Sequence, residues 1–155
     1  MKYLSKNRLS DFEFHDAVLT FESFISQRLI AQAAYLNIHK DAMQNPFETD
    51  MEIACARLSF EDCTIKSYEL LKALKQDENG QFYSDETQII YSGDEGKKHF
   101  IEQLKKGITV FDFGKKDEET FYLDVSSQPG FTVCFSFEDV LIEWDDYKKP
   151  AWYIQ

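Results

Sequence analysis

The adjacent pair His15 and Asp16 is the first place in this chain where two side chains could do chemistry together. A carboxylate can orient an imidazole so that the ring acts as a base or as a metal ligand. Neighbouring residues of a β-strand point to opposite faces, however, so the two side chains share a target only where a bulge intervenes. The alternative is structural, with Asp16 bonding backbone amides at the start of a strand and His15 packing against its neighbours. We keep His15 and Asp16 as a candidate polar site.

A group of carboxylates towards the C-terminal end is the second candidate. Five acids lie within nine residues and are interleaved with two aromatic residues: Glu138, Asp139, Glu143, Trp144, Asp145, Asp146 and Tyr147. Acids around an aromatic suit a Lys/Arg-rich protein, because the charges speed association and the aromatic supplies affinity. The sequence therefore predicts a partner-binding surface at Glu143, Trp144, Asp145, Asp146 and Tyr147. A solvated strand face is the alternative, and the cluster lacks the ligand order of a calcium loop.

Other catalytic and metal-binding patterns are missing from the sequence. His39 and His99 have no HxH, HExxH or CxxC spacing around them. No GxSxG motif occurs, and the segment Gly93–Gly96 carries too much negative charge to hold a phosphate. The three cysteines are odd in number and lack metal-ligand spacing, so we expect reduced thiols. The sequence predicts no cofactor and no metal site, and it disfavours an enzyme.

The stretch that organises the rest of the chain is residues 131–146, FTVCFSFEDVLIEWDD. Every second residue is apolar, first in one run and then, after an acidic pair, in another: Phe131, Val133, Phe135, Phe137, then Val140, Ile142, Trp144. Alternation with period two places these side chains on one face of a β-strand. The stretch therefore predicts two consecutive strands, joined by a turn or bulge, at the centre of the core.

The same junction occurs twice in the chain. Residues 59–65 read SFEDCTI and residues 136–142 read SFEDVLI. The flanking residues do not match, so the pattern does not indicate a duplicated domain. We interpret both segments as hairpins that share one local architecture, with an acidic pair after an inward-facing Phe.

The remaining elements follow from the same periodicities. Strands are expected at about 17–24, 29–39 and 51–60, although an amphipathic helix is the rival for 27–36. One amphipathic helix is expected at about 93–106, opened by a Ser92/Glu95 capping box and closed before Gly107. The predicted fold class is mainly β (α+β), an antiparallel β-sandwich or curved sheet with that one helix.

Length and charge narrow the classes of function. A chain of 155 residues is expected to form one domain, 1–155. Its formal net charge of −11 disfavours nucleic acid, which requires clustered Lys and Arg, and is compatible with a basic protein partner. No signal-peptide core and no membrane-spanning stretch occur, so we expect no membrane association and a cytoplasmic location.

Three short segments resemble a known group of proteins. FHDA at 14–17, LSFEDCTI at 58–65 and FTVCFSFEDVLIEW at 131–144 are similar to segments of small bacterial β-sandwich proteins of the toxin-immunity type. The middle third of the chain does not share the resemblance. The resemblance implies a cytoplasmic, non-catalytic protein that masks a cognate toxin through an acidic face, and it carries over no functional residues.

The leading hypothesis is therefore a non-catalytic, acidic protein-interaction module, of the immunity-like inhibitor kind, that binds a basic partner. The first alternative is a small enzyme or metal-binding protein that uses His15 and Asp16. The second is a structural subunit that self-associates through its sheet edges.

Overall fold

The computed structural model describes residues 1–71, 74–84 and 88–154. The described part of the chain is mainly β with one α-helix, as the alternation predicts, and its strands are antiparallel. The strands are β1 (Tyr3–Lys6), β2 (Phe12–Glu13), β3 (Val18–Ile25), β4 (Arg28–Ala34), β5 (Asn37–Ile38), β6 (Met51–Ile53), β7 (Ala56–Glu61), β8 (Thr64–Leu70), β9 (Lys75–Gln76), β10 (Phe82–Tyr83), β11 (Ile90–Ser92), β12 (Ile108–Lys115), β13 (Phe121–Val125), β14 (Phe131–Ser136), β15 (Asp139–Trp144) and β16 (Tyr147–Pro150). The helix α1 spans Gly93–Lys106, and a 3-10 turn spans Leu9–Asp11.

Ten of the strands form one large sheet, in the order β1-β15-β7-β4-β3-β12-β13-β14-β8-β11. Four short strands form a second sheet in the order β16-β6-β5-β2, and β9 pairs with β10 as a separate hairpin. The predicted antiparallel, curved sheet is confirmed. Its curvature follows from how the chain joins strands that are far apart in this order.

Two continuous chain segments, each made of two consecutive strands, force the large sheet to fold over on itself. Strand β7 runs into β8 through residues 62–63, and β14 runs into β15 through residues 137–138. Yet β7 and β15 lie near one end of the strand order, whereas β8 and β14 lie near the other. Because only two residues join each pair, the two ends of the sheet must meet. Strands that pass from one layer to another in this way form the corners of orthogonally packed sheets.

The two SFED segments are these corners, and the prediction of two hairpins is wrong. Glu61 lies opposite Asp139, and Thr64 lies opposite Ser136, so the segments run side by side in opposite directions with one register across the bend. The Glu138 amide donates to the Glu61 carbonyl at 2.9 Å across the bend. The prediction that both segments share one local architecture agrees with this arrangement. We call this paired bend the SFED corner.

The inward-facing residues of the organising stretch lie where period two places them. Phe131, Val133 and Phe135 are all buried, and Trp144 is 0% exposed. The ring of Phe135 lies 5.6 Å from that of Phe60 and 5.8 Å from that of Phe113, centroid to centroid. Rings from both layers therefore meet in one cluster inside the folded sheet.

Two predicted strands are shorter than expected. Strand β4 ends at Ala34 because Tyr35 adopts a φ of 59° and turns its side chain outward, 52% exposed. The chain then enters β5 of the second sheet, so one strand over 29–39 is wrong, as is the rival helix. The predicted strand 51–60 likewise breaks at Ala54, whose amide donates to the carbonyl of Asp146. A residue in the left-handed backbone conformation, or a hydrogen bond outside the regular strand pairing, redirects the chain without changing the alternation of apolar residues.

The helix α1 begins and ends where predicted, but its N-terminal cap differs. Ser92 is the N-cap residue, and its side chain makes no capping hydrogen bond, so the capping box is not formed. At the other end Gly107 has a φ of 88°, and its amide donates to the Leu104 carbonyl at 3.0 Å. Phe100 and Leu104 are buried beneath the helix. No helix in the described ranges is long and apolar enough to cross a membrane.

Close packing of α1 on the sheet gives a stability prediction. A Cβ at Gly96 would lie 2.6 Å from the Tyr91 carbonyl oxygen and 3.3 Å from the Tyr68 nitrogen, both backbone atoms. We expect Gly96→Ala to lower the free energy of unfolding by about 1–3 kcal/mol, because the backbone must shift. Urea denaturation measures the change. Lys98→Ala on the exposed side of α1 is the control, and equal stability of the two variants would contradict the close packing.

Candidate functional site

An open groove of about 1010 Å³ lies where the SFED corner, the β12–β13 hairpin and the N-terminal segment meet. Five phenylalanines form its floor: Phe12, Phe14, Phe113, Phe121 and Phe137. Phe12 and Phe14 are buried, and the other three are half-buried. Six acidic residues also line the groove: Glu13, Asp62, Asp112, Glu118, Glu119 and Glu138. The Asp112 carboxylate accepts a hydrogen bond from the Tyr122 hydroxyl at 2.6 Å. Lys115 and His15 are the basic residues among the lining. We call this site the acidic groove.

The floor of the acidic groove is continuous with the core. Phe121 stacks on Phe137 with ring centroids 4.2 Å apart, and Phe14 lies 5.0 Å from Phe113. Phe113 in turn packs against Phe135 inside the sheet. Side chains held by a close-packed interior keep one arrangement, so the floor is formed before any ligand arrives.

The β12–β13 hairpin carries two of the rim carboxylates. Its turn is held by Asp117, whose carboxylate accepts hydrogen bonds from the amides of Glu119 at 3.0 Å and Thr120 at 2.8 Å. These bonds lower the pKa of Asp117, the one to Glu119 most. The turn leaves Glu118 and Glu119 exposed at the groove, with their own carboxylates free of the turn bonds.

Asn7 ties the N-terminal segment to the SFED corner. Its side chain donates to the Asp139 carboxylate and accepts from the Val140 amide, both at 2.8 Å. Its own amide donates to the Val140 carbonyl at 2.9 Å, and its φ is 57°. Asn tolerates this left-handed conformation better than most residues. The segment that brings Glu13, Phe14 and His15 to the groove is therefore anchored at its start.

The two SFED segments each contribute one acid to a close pair in the groove. A hydrogen bond between the carboxyl groups of Asp62 and Glu138, followed by the negative charge of Asp62, raises the pKa of Glu138. A negative charge this close disfavours ionisation of the Glu138 carboxyl group. A cation in the groove would relieve that repulsion.

His15 lies at the groove edge, and Asp16 points beside it. The Nδ1 of His15 is 2.9 Å from the Phe111 carbonyl oxygen, and since a carbonyl only accepts, Nδ1 carries the proton. Nε2 lies 3.7 Å from the Asp16 carboxylate. Asp16 has a φ of 69°, so a turn brings together two side chains that an extended strand would separate. The hydrogen bond to Phe111 is the main cause that raises the pKa of His15.

The predicted surface at 143–147 is only partly a surface. Trp144 is buried against Tyr3 and Phe12, so its expected role as an exposed anchor is wrong. Asp145 and Asp146 are exposed, and the Asp145 carboxylate accepts a bond from the Lys2 amide at 2.8 Å. Glu143 and Tyr147 are half-buried, and the Tyr147 hydroxyl donates to the Gln44 carbonyl at 2.6 Å. Strand parity already placed Trp144 inside, together with Val140 and Ile142.

The acidic groove brings together residues that the sequence did not connect. Glu13, Asp62 and Glu119 are far apart along the chain, and their approach depends on the corner and the hairpin. The repeated SFED pattern is the available signal in the sequence, because Asp62 and Glu138 are two of its four acids. Across the described ranges, no three His, Cys, Asp or Glu residues are grouped as a metal site. The arrangement suits a ligand with both cationic and apolar groups.

Comparisons of the chain with protein-family models, with curated proteins and with solved structures found no match.

The His15 hydrogen bond gives a prediction for pH. We expect a pKa above the ordinary 6.5 for His15, measured by NMR titration of its ring protons. A raised folded-state pKa means that protonation stabilises the fold. This contribution is complete below about pH 6.5 and is lost as the pH rises through the folded-state pKa. The difference in unfolding free energy between the wild type and His15→Gln should shrink over that interval, and a pKa at or below 6.5 would contradict the bond.

The carboxyl pair gives a second prediction. Asp62→Asn keeps a residue that tolerates the φ of 51° at this position, and it removes the neighbouring negative charge. We expect the raised pKa of Glu138 to fall, because the negative charge is gone and an amide can donate to the carboxylate. Side-chain carboxyl NMR titration measures it. Asp145→Asn, which lies outside the groove, should leave the pKa of Glu138 unchanged.

Proposed function

We propose that this protein is a non-catalytic protein-interaction module whose acidic groove binds a basic segment of a partner protein. The observation that carries the proposal is the composition of the groove, which is lined by five phenylalanines and six acidic residues. Lys and Arg side chains combine an apolar stem with a cationic head, so both parts of the groove can be used at once. Aromatic rings also attract such cations directly.

Charge distribution supports a protein partner that is basic. The whole chain carries a net charge of −11, and acidic residues outnumber basic residues along the groove. A cleft lined by charges of one sign raises the local concentration and the association rate of oppositely charged partners. The preformed floor would then supply affinity by burying apolar surface.

The kind of partner follows from the resemblance of the FHDA and SFED segments to immunity-type proteins. Phe14 and His15 of the first segment, and the acids Asp62 and Glu138 of the two SFED segments, all line the groove. We infer that the partner is a toxin with a basic surface and that binding in the groove masks this surface. The groove then takes the role first assigned to residues 143–147.

The test compares two double charge reversals in a pull-down from the source cell. Glu118→Lys/Glu119→Lys alters the groove rim, and Asp145→Lys/Asp146→Lys makes the same charge change outside it. All four residues are exposed, so both variants should fold. We expect the rim variant to lose a partner that the wild type retains at low salt, with association slowed roughly tenfold or more. The control variant should retain it.

The opposite result would place the interface outside the acidic groove. If only Asp145→Lys/Asp146→Lys loses the partner, the contact lies at the 143–147 surface and the groove assignment is wrong. If neither variant changes binding, charge does not direct the association. Co-expression of the captured partner in a host then tests the inhibitor role, because growth should fail with the partner alone and recover with the wild type. A harmless partner would overturn that role and leave the binding assignment intact.

A further inference from the structure

Strand β12 changes its pairing halfway along its length. It pairs with β3 only at Ile108 and Thr109, whereas it pairs with β13 as far as Lys115. The separation occurs at a bulge, where Val110 makes its last bonds to Ala17 and Asp16. A bulge bends a strand and ends regular pairing on one side. Beyond it, β12 has β13 on one edge and no strand on the other among the described residues.

The direction of the free backbone groups follows from the turn of the hairpin. The Lys116 amide donates to the Thr120 carbonyl at 2.8 Å, so this pair is hydrogen-bonded across the hairpin. Hydrogen-bonded and non-hydrogen-bonded pairs alternate along antiparallel strands. Phe113 and Lys115 are therefore non-bonded positions, and their N–H and C=O groups point away from β13.

This free edge lies inside the acidic groove. Residues 112–115 all line it, together with Glu13, Phe14 and His15 on the facing side. The Phe111 carbonyl, which precedes the free positions, is already occupied by the His15 ring at 2.9 Å. Within the part of the chain that the structure describes, no residue donates to or accepts from the outward backbone groups of Phe113 and Lys115. A row of main-chain donors and acceptors thus lies between the aromatic floor and the acidic rim.

We propose that the partner's basic segment binds in an extended conformation, as an additional β-strand along the free edge of β12. Main-chain hydrogen bonds to Phe113 and Lys115 provide affinity that does not depend on sequence. Side chains of an extended segment alternate between two faces, so basic residues reach the carboxylates while apolar residues lie on the phenylalanines. This inference rests on the proposed function, since it specifies how the groove holds its partner.

A second copy of the chain is a poor occupant for this edge. Edge-to-edge pairing of two copies would bring two rims of six carboxylates each into one interface. Like charges juxtaposed across an interface oppose association. An alternating basic and apolar segment meets no such repulsion. The charge of the groove therefore favours a basic segment of another protein over a second copy of this chain.

The probe for this mode is a blocked heptapeptide in which lysine and valine alternate. We expect it to bind the groove, with chemical-shift changes at residues 112–115 that weaken as salt rises. Two further peptides carry backbone N-methyl groups, one on its central lysines and the other on its valines. In an added strand only one of these two sets of amides faces β12. One methylated peptide should therefore bind at least tenfold more weakly than the parent, and the other should bind within about twofold of it.

Hydrogen exchange of the protein gives a second reading. The amides of Phe113 and Lys115 should exchange at least tenfold more slowly in the complex, while the exposed amide of Glu118 should not. Equal binding of both methylated peptides, with unchanged exchange, would overturn strand addition while leaving the groove as a basic-segment site. Failure of the parent peptide to bind, or equal binding to Glu118→Lys/Glu119→Lys, would instead overturn the proposed function. A wild-type dimer that the peptide dissociates would assign the edge to a second copy.

Discussion

The paired bend at the SFED corner is the constraint on which the rest of the structure depends. Two chain segments, one from β7 to β8 and the other from β14 to β15, pass this bend in opposite directions. Their backbones remain hydrogen-bonded through it. Because each of these two chain segments contributes a strand to both ends of the large sheet, the sheet can only close around one interior. The phenylalanines of both layers meet there, and the burial of each contributes about 1.5–3 kcal/mol relative to exposure. Loss of the bend would separate these layers and expose the cluster.

The same closure creates the groove. Strand β12 bridges the two parts of the sheet, and it leaves β3 at the bulge after Val110 to follow β13. The gap that opens is bounded by the SFED corner, the hairpin and the anchored N-terminal segment. Its aromatic floor is therefore the exposed margin of the core, and its open strand edge results from the bulge. A site of this kind requires no separate element, because the sheet leaves it when it closes.

The close pair of acids in the groove does not serve the stability of the fold. The hydrogen bond to Asp62 and the negative charge of Asp62 raise the pKa of Glu138, and few basic residues line the groove to offset this charge. Other acids have clear structural partners, both in the groove and outside it: Asp112 accepts from Tyr122, Asp50 bonds to His39 and Tyr153, and Glu22 bonds to Arg57. Departures from local consistency of this type are expected at functional sites. The contrast between this pair and the partnered acids is the physical reason for the proposal that the groove binds a ligand.

The sequence by itself determined the class of fold, the helix from residue 93 to 106, and the buried faces of the strands. These follow from periodicity and from Gly107, which are local properties of the chain. Parity even placed Trp144 inside, although its acidic neighbours suggested a surface role. Only the tertiary structure decided that the SFED segments are corners, that Tyr35 ends a strand, and that Glu13, Asp62 and Glu119 share one groove. Those outcomes depend on which strands pair and on single left-handed residues, and neither leaves a periodic signal in the sequence.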